Sequence, residues 1–426
     1  MTDEWHTETV GDLQREGILL VEDGNHGEYR PRPDEFVDNG VAFIRAADMD
    51  AGEVLFESAS KINERARKRI TKGIGAPGDV LLSHKGTVGK IALVPDDAPA
   101  FVCSPQTTFW RALDEERLDR KYLYAFLRSP AFRAQLATRS GETDMAPYVS
   151  LTSQRGLFVI LPPINTQHAI ARILSSLDDK IELNRHMNET LEAMAHAIFK
   201  SWFVDFDPVR AKAEGREPEG MDAETAAFFP DCFEETELET VPKGWMVKTV
   251  GDILELAYGK ALIEENRIAG DIPVFGSNGQ VGWHNEELVK GPGIIVGRKG
   301  NPGIVTWSPT DFFSIDTTFY VILKSLCKSM HYVFYSLRQQ DLASLGADSA
   351  VPGLNRNLAY TNKMVVPSPK ILETFDKHMA ILKALVHANE IQSYNLSAIR
   401  DALLPKLLSG EIEATGVMTG GGQYDR

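Results

Sequence analysis

The stretch His84-Lys85-Gly86-Thr87-Val88-Gly89-Lys90-Ile91 carries the glycines and lysine of a phosphate-cradling loop. It lacks the first glycine of that motif and the closing Ser/Thr that would hold magnesium, so it reads better as a β-hairpin than as a nucleotide site. A metal-dependent nuclease needs carboxylates beside a lysine on adjoining strands. The acid-x-Lys matches, Asp119-Arg120-Lys121 and Asp178-Asp179-Lys180, fall in helical patterns and read as solvated helix faces. No Asn-Pro-Pro-Tyr or Asp-Pro-Pro-Tyr is present to hold an adenine amino group. Phe275-Gly276-Ser277-Asn278-Gly279 does not follow a Rossmann first strand with an acid some way beyond. No HExxH or histidine pair stands at ligand spacing, and His196 reads as a helix-surface histidine. Cys103, Cys232 and Cys327 form no CxxC pair, which argues against a disulfide framework and for a reducing, cytoplasmic setting. Carboxylate or histidine metal sites stay open on this evidence.

Several polar loops suit recognition better than catalysis. Ser83, His84, Lys85 and Thr87 bring hydroxyl, imidazole and ammonium groups to one glycine-bounded turn. Arg298, Lys299 and Asn301 do the same with guanidinium and amide, and Ser277, Asn278, Gln280, Asn355 and Arg356 supply more. Glycines let a backbone approach phosphate closely, and Arg, Lys and Asn can reach base edges. Ordinary surface turns are the alternative for each loop taken alone. Residues 61–72 hold Lys61, Arg65, Arg67, Lys68, Arg69 and Lys72 against one acid, Glu64, a candidate phosphate-contacting patch. The alternative there is a solvated helix face.

The overall charge points the other way. With 45 Lys+Arg and 60 Asp+Glu in 426 residues, the formal charge is −15, unlike an ordinary nucleic-acid binder. The acidity is local, however. Between Glu214 and Thr240 ten acids face one base, Arg216, in a Pro- and Gly-containing stretch that reads as a linker. No apolar run approaches a membrane span, and the acidic N-terminal residues carry no secretory signal.

The elements that position these loops repeat. Thr9-Val10-Gly11-Asp12 returns as Thr249-Val250-Gly251-Asp252, residues 77–86 resemble 292–300, and Thr107-Thr108-Phe109 returns as Thr317-Thr318-Phe319. Each half closes on a strand-like run into proline, at Phe158–Pro163 and Met364–Pro369. The order is kept while the spacing drifts from 240 to about 205 residues, which implies two tandem β-rich modules, each followed by a long helix. Apolar residues fall at steps of four and three from Ile170 to Trp202, and again 205 residues on, from Phe375 to Leu407. The polar breaks, Asn184/Asn188 and Asn389/Ser393, coincide. Such a seam calls for a partner helix, and antiparallel pairing of the two helices would bring Asn184 and Asn389 together at the centre, where they would fix register; both pointing to water is the alternative. Helices of about 38 residues would be roughly 57 Å long, enough to span the ~34–36 Å between successive major grooves.

The chain resembles the specificity subunit of type I restriction–modification systems. The resemblance is carried by Leu161-Pro162-Pro163-Ile164 with Gln167–Leu174, by Leu177-Asp178-Asp179-Lys180-Ile181-Glu182-Leu183-Asn184 and by Leu191-Glu192-Ala193-Met194. Phe199–Phe206, Pro242-Lys243-Gly244-Trp245 and Leu403–Ile412 extend it over essentially the whole chain. It implies an α+β fold with two repeated β-rich target-recognition domains, separated by two long antiparallel coiled-coil helices with pseudo-two-fold symmetry. The expected boundaries are 1–161 and 244–368 for the recognition domains, 162–212 and 369–410 for the helices, 213–243 for the acidic linker and 411–426 for a flexible tail. The resemblance implies a non-catalytic chain reading one half of a split, asymmetric double-stranded DNA sequence with each domain. The partners it implies are a methyltransferase subunit with S-adenosylmethionine chemistry on adenine and an ATP/Mg-driven restriction subunit, two copies of each, and no cofactor on this chain. Trp202, Phe203 and Phe206 become candidate partner contacts, with burial against the chain's own linker as the alternative. The rival readings are a stand-alone methyltransferase or nuclease with a diverged site, and a coiled-coil adaptor whose modules bind protein.

Overall fold

The computed structural model describes residues 5–24, 26–140, 147–236, 240–345 and 353–414. The expected tail beyond 414 and the acids Glu237 and Glu239 lie outside the described residues. The chain divides into two compact units, Met1–Glu182 with Ser393–Arg426, and Leu183–Gln392.

Each unit contains one β-rich module, and the two are built alike. In the first, β1 (Leu19–Asp23), β2 (Val80–Lys85), β3 (Thr87–Leu93) and β4 (Thr107–Ala112) form an antiparallel sheet in the order β1-β4-β2-β3. In the second, β5 (Leu254–Tyr258), β6 (Gly293–Gly297), β7 (Val305–Ser308) and β8 (Thr318–Leu323) repeat it as β5-β8-β6-β7. A parallel strand pair accompanies each sheet, Phe101–Cys103 with Val41–Ile44 and Ile272–Gly276 with Phe313–Ser314. The runs into proline close each module by pairing with its opening strand, His6–Thr9 with Phe158–Leu161 and Met246–Thr249 with Lys363–Val366.

The repeated Thr-Val-Gly-Asp is a helix start. Thr9 and Thr249 accept from the amides of Asp12 and Asp252, as N-cap residues do. Val10 and Val250 are buried, and a Cβ on Gly11 or Gly251 would press on Arg155 or Tyr360 at 3.3 and 3.1 Å. A further repeat lies in the helices after the sheets, where Tyr122–Arg128 matches Tyr332–Arg338. Tyr122 Oη donates to the carbonyl of Ile160, and Tyr332 Oη to that of Val365, tying each helix to its closing strand.

Two 40-residue helices follow the modules, α1 (Ile164–Phe203) and α2 (Pro369–Leu408). Asn165 and Thr166 lie inside the first turn of α1. The helices pack as an antiparallel pair. In one unit Ala169, Ile170 and Leu174 share a core with Leu404, Leu407 and Leu408; in the other Ala195, Phe199 and Trp202 share a core with Ile371, Phe375 and Met379. A module covers the seam at those ends. Between them Leu177, Ile181 and Leu191 are only half-buried, because a single partner helix covers one face.

At the centre, Asn184 is fully buried and its Nδ2 donates to Gln392 Oε1 at 2.9 Å, with the Asn389 carbonyl at 3.4 Å. Asn389 Nδ2 in turn donates to Asn188 Oδ1 at 2.9 Å. The two central asparagines face one another's helix, but each side chain pairs one turn away, with a residue of the opposite helix.

Two expectations are corrected here. Trp202 and Phe203 are core residues, not an exposed contact, and Phe206 is packed against the same core. Trp202 meets Phe229 edge-on at 5.2 Å, Phe203 meets Phe375 at 5.0 Å, and Phe206 meets Trp245 at 5.7 Å. The acidic stretch is also more ordered than a linker. It forms the short helix Ala223–Ala227 and the strand pair Phe233–Glu235 with Thr240–Pro242, anchored by buried Phe229 and Val241. Its few apolar side chains fix it to the core while its described acids stay exposed, so composition alone misread it.

Candidate nucleic-acid interface

In the second module, Arg298 follows β6 and is pinned from two sides. Its amide and that of Lys299 donate to the Thr317 carbonyl, and its carbonyl accepts from the amide of Leu354 at 2.9 Å. Its guanidinium donates to the Asp316 carbonyl at 3.0 Å and lies 4.8 Å from the centre of the Tyr258 ring. Arg356 donates to the Leu256 carbonyl at 3.3 Å and lies 4.8 Å from the same ring. Tyr258, 50% exposed at the end of β5, thus joins two arginines that are 58 residues apart in sequence. No property of the sequence around Tyr258 singled it out; only the pairing of β5 with β8 brings it beside these loops.

The neighbouring loops converge on the same place. Asn301 Nδ2 donates to Asn278 Oδ1, and a Cβ on Gly300 would lie 3.4 Å from Ser277 Oγ. Lys299 and Asn301 are exposed, and Lys299 bridges through its backbone to Gly353. Asn355 works as a helix cap, its Oδ1 accepting from the amides of Asn357 and Leu358. Gln280 is exposed on the strand beyond the turn and donates to the Gly282 carbonyl. The structure therefore gathers Ser277, Asn278, Arg298, Lys299, Asn301, Asn355 and Arg356, with Gln280 further along its strand.

The first module offers fewer groups than its sequence suggested. β2 and β3 turn at Gly86, whose φ of 78° suits glycine, and Lys85 and Thr87 are exposed beside it. Ser83 and His84 are buried and do not belong to the exposed surface. Ser83 Oγ accepts from the Lys90 amide at 2.9 Å, bracing the hairpin. His84 Nδ1 lies 3.0 Å from the Val149 carbonyl, which can only accept, so Nδ1 carries the proton. Burial pushes the His84 pKa down and keeps the ring neutral. Lys85 Nζ sits 5.5 Å from the Tyr148 ring.

The basic stretch 61–72 is only partly available. Lys61 is half-buried in a strand, and Arg67 is half-buried on the helix Glu64–Arg69. Arg69 is a structural residue: its guanidinium grips Glu35 at 2.8 and 2.5 Å and donates to the Arg30 carbonyl. The Glu35 side chain is 2% exposed, and the Arg69 fork holds its carboxyl down to about 2. A carboxylate so placed needs a cation, which takes Arg69 out of any phosphate grip. Arg65, Lys68 and Lys72 remain on the exposed side.

The two loop sets share one backbone frame. The Val149 amide donates to the His84 carbonyl as Leu354 does to Arg298, and Lys85 bridges Tyr148 as Lys299 bridges Gly353. Ser150 then caps the helix Leu151–Arg155 as Asn355 caps Arg356–Thr361. A fixed frame thus carries His84, Lys85 and Tyr148 in one module and Arg298, Lys299 and Gly353 in the other.

Residues 25–193 and 242–399 match the family described as type I restriction modification DNA specificity domain. The chain belongs to that family. It is 28% identical to the type I restriction enzyme HindI specificity subunit of Haemophilus influenzae, over 87% of this chain and 94% of that one. It is 25% identical to the MjaIX specificity subunit of Methanocaldococcus jannaschii, over 89% of this chain and 88% of that one. Its fold resembles the crystal structure of a type I restriction–modification S subunit from M. genitalium, with a TM-score of 0.56 at 16% identity, covering 95% and 96% of the two chains. A type I specificity subunit is a non-catalytic, DNA-recognising component, so the loops above are read as candidate recognition elements rather than as an active centre. No helix among the described residues is long and apolar enough to cross a membrane.

Proposed function

We propose that this chain reads a bipartite, asymmetric DNA site, with residues 1–161 contacting one half and 244–368 the other, and with α1 and α2 setting the spacing. The observation that carries this reading is the common backbone frame holding different side chains at equivalent places in two modules. Two copies of one reader with different contact residues suit two unlike half-sites. Phosphate contacts fall to Arg65, Lys68, Lys72, Lys85 and Lys299, and base contacts to Thr87, Asn278, Asn301, Arg298 and Arg356.

The helices are proposed to dock two methyltransferase subunits, which supply S-adenosylmethionine chemistry on adenine, and to support two ATP/Mg-driven restriction subunits. The docking face is not the Trp202 run. Leu183, Met187 and Met194 on α1, and Ile381, Leu385 and Ile399 on α2, are exposed apolar residues at helical spacing, and they are the better candidates. Three free cysteines suit a reducing, cytoplasmic setting. Exchanging residues 1–161 for those of a relative tests the modular reading. Mapping modified adenines is expected to find one half of the recognition sequence changed and the other kept; a change in both halves would overturn the assignment. A purified chain that modified or cut DNA without partners would favour an enzyme instead, and one lacking salt-dependent affinity in the assembled complex would favour a protein-binding adaptor.

A further inference from the structure

The second module has as many acids as bases between residues 244 and 368, eleven of each, so a diffuse electrostatic grip on phosphates contributes little to what it binds. Two of its cations are already engaged with carboxylates. Lys290 is paired with Glu287 and Asp311, and Arg338 faces Glu192. Arg298 and Arg356 differ from these. Among the described residues neither forms an ion pair, and both are held by the Tyr258 ring and by a backbone carbonyl.

That combination suits one kind of contact. A phosphate is served by a mobile point charge, and lysine does it as well as arginine. A base edge needs a planar donor fork held in a fixed orientation, and the fork that arginine offers matches guanine O6 and N7 in the major groove. An aromatic ring against a guanidinium restricts its plane, and a carbonyl bond uses one N–H while leaving others for a ligand. Both arginines are fixed at their bases, Arg298 in the loop after β6 by Thr317 and Leu354, and Arg356 as the first residue of the helix that Asn355 caps.

We propose that Arg298 and Arg356, aligned by Tyr258, read guanine in the major groove, so that the half-site of the second module contains at least one obligatory G·C pair. This rests on the reading of the chain as a DNA-recognition subunit with one module per half-site. Tyr258 acts here as a positioning residue.

The test uses the full chain assembled with its methyltransferase subunit. Modified adenines are mapped for the wild type and for Arg298→Lys, Arg356→Lys and Tyr258→Ala, and duplex binding is measured with 7-deazaguanine at each guanine of the second half-site. The wild type is expected to require a G·C pair there. The lysine variants, which keep the charge and lose the fork, are expected to lower preference for that pair by about ten- to a hundred-fold while leaving the other half-site unchanged. Tyr258→Ala is expected to relax the same position less, and 7-deazaguanine to weaken wild-type binding by about ten-fold or more. A second half-site without an obligatory G·C pair, lysine variants that retain full discrimination, or indifference to 7-deazaguanine would each overturn the proposal. Absence of any sequence-specific binding by the wild-type complex would overturn the functional reading itself, a separate result.

Discussion

Asp178 is the residue on which the attachment of the first module to both long helices turns. Arg128, from the module, donates to Asp178 Oδ2 at 2.7 Å, and Arg400, from α2, donates to Oδ1 at 2.7 Å. The three side chains are 16%, 19% and 27% exposed for Arg128, Arg400 and Asp178, and they border a cavity of about 230 Å³ lined also by Ala125, Leu174 and Leu404. Asp178→Ala leaves Arg128 without its carboxylate and Arg400 with only the exposed Asp401, two guanidiniums facing each other with little water. Breaking a fully buried pair costs about 3–5 kcal/mol; with Asp178 a quarter exposed, solvent screening brings this to about 2–3 kcal/mol. For a unit of this size, at ~2–4 °C per kcal/mol, the midpoint of its unfolding transition falls by about 4–12 °C. Calorimetry of the full chain measures this directly. The triple variant Arg128→Met, Asp178→Leu, Arg400→Met is expected to recover most of the loss, since apolar groups of similar volume replace buried ion pairs without penalty. A midpoint for Asp178→Ala within about 1 °C of the wild type, or a triple variant less stable than the single, would refute this account of the junction.

Trp202→Ala removes a side chain packed on Phe229, Phe375 and Phe203, and is expected to cost about 3–5 kcal/mol in a denaturation experiment; a fully stable variant with only weakened methyltransferase binding would return Trp202 to the surface. Asn184→Leu combined with Asn389→Leu is expected to leave or raise thermal stability but to broaden the distance distribution between spin labels at Met187 and Leu385, because apolar seams tolerate more than one register. An unchanged narrow distribution would deny the asparagines that role. Lys383 is buried among Phe334 and Tyr335 beside Glu192 at 2.5 Å, and burial lowers its pKa below that of the unfolded chain. Between the lowered and the ordinary lysine pKa the unfolded state binds the extra proton, so this group makes stability rise with pH across that window. Lys383→Met is expected to flatten that rise relative to the wild type, and an identical slope in both proteins would be the contrary result.

Much of the architecture was legible because it repeats. The Thr-Val-Gly-Asp caps, the runs into proline and the two seams are constrained by backbone geometry and burial, so both copies kept them. What contacts a ligand is free to differ, and there the sequence misled. Ser83 and His84 looked like loop residues but brace the hairpin and its neighbouring segment, and Arg69 looked like part of a charge patch but answers Glu35, 34 residues away. Tyr258 was invisible because its significance comes from two arginines that only the fold brings near. The junctions escaped notice for a different reason. Arg128 and Arg338 correspond, but the 205-residue offset that aligns the seams sets Asp178 against Lys383, opposite charges at equivalent places, so the helix side of the junction carries no matching letter. Glu192 supplies the second junction's anion, beside Lys383 and Arg338. The Trp202 run is apolar enough for an interface or a core, and composition does not distinguish them.

The central claim is that one chain joins two unlike readers at a fixed spacing. Expression of this chain with its methyltransferase subunit, followed by mapping of every modified adenine in the host DNA, tests it most directly. The account predicts a single asymmetric motif of two specified blocks separated by a constant run of unspecified bases. A continuous motif, a palindrome, or modification without sequence preference would contradict it.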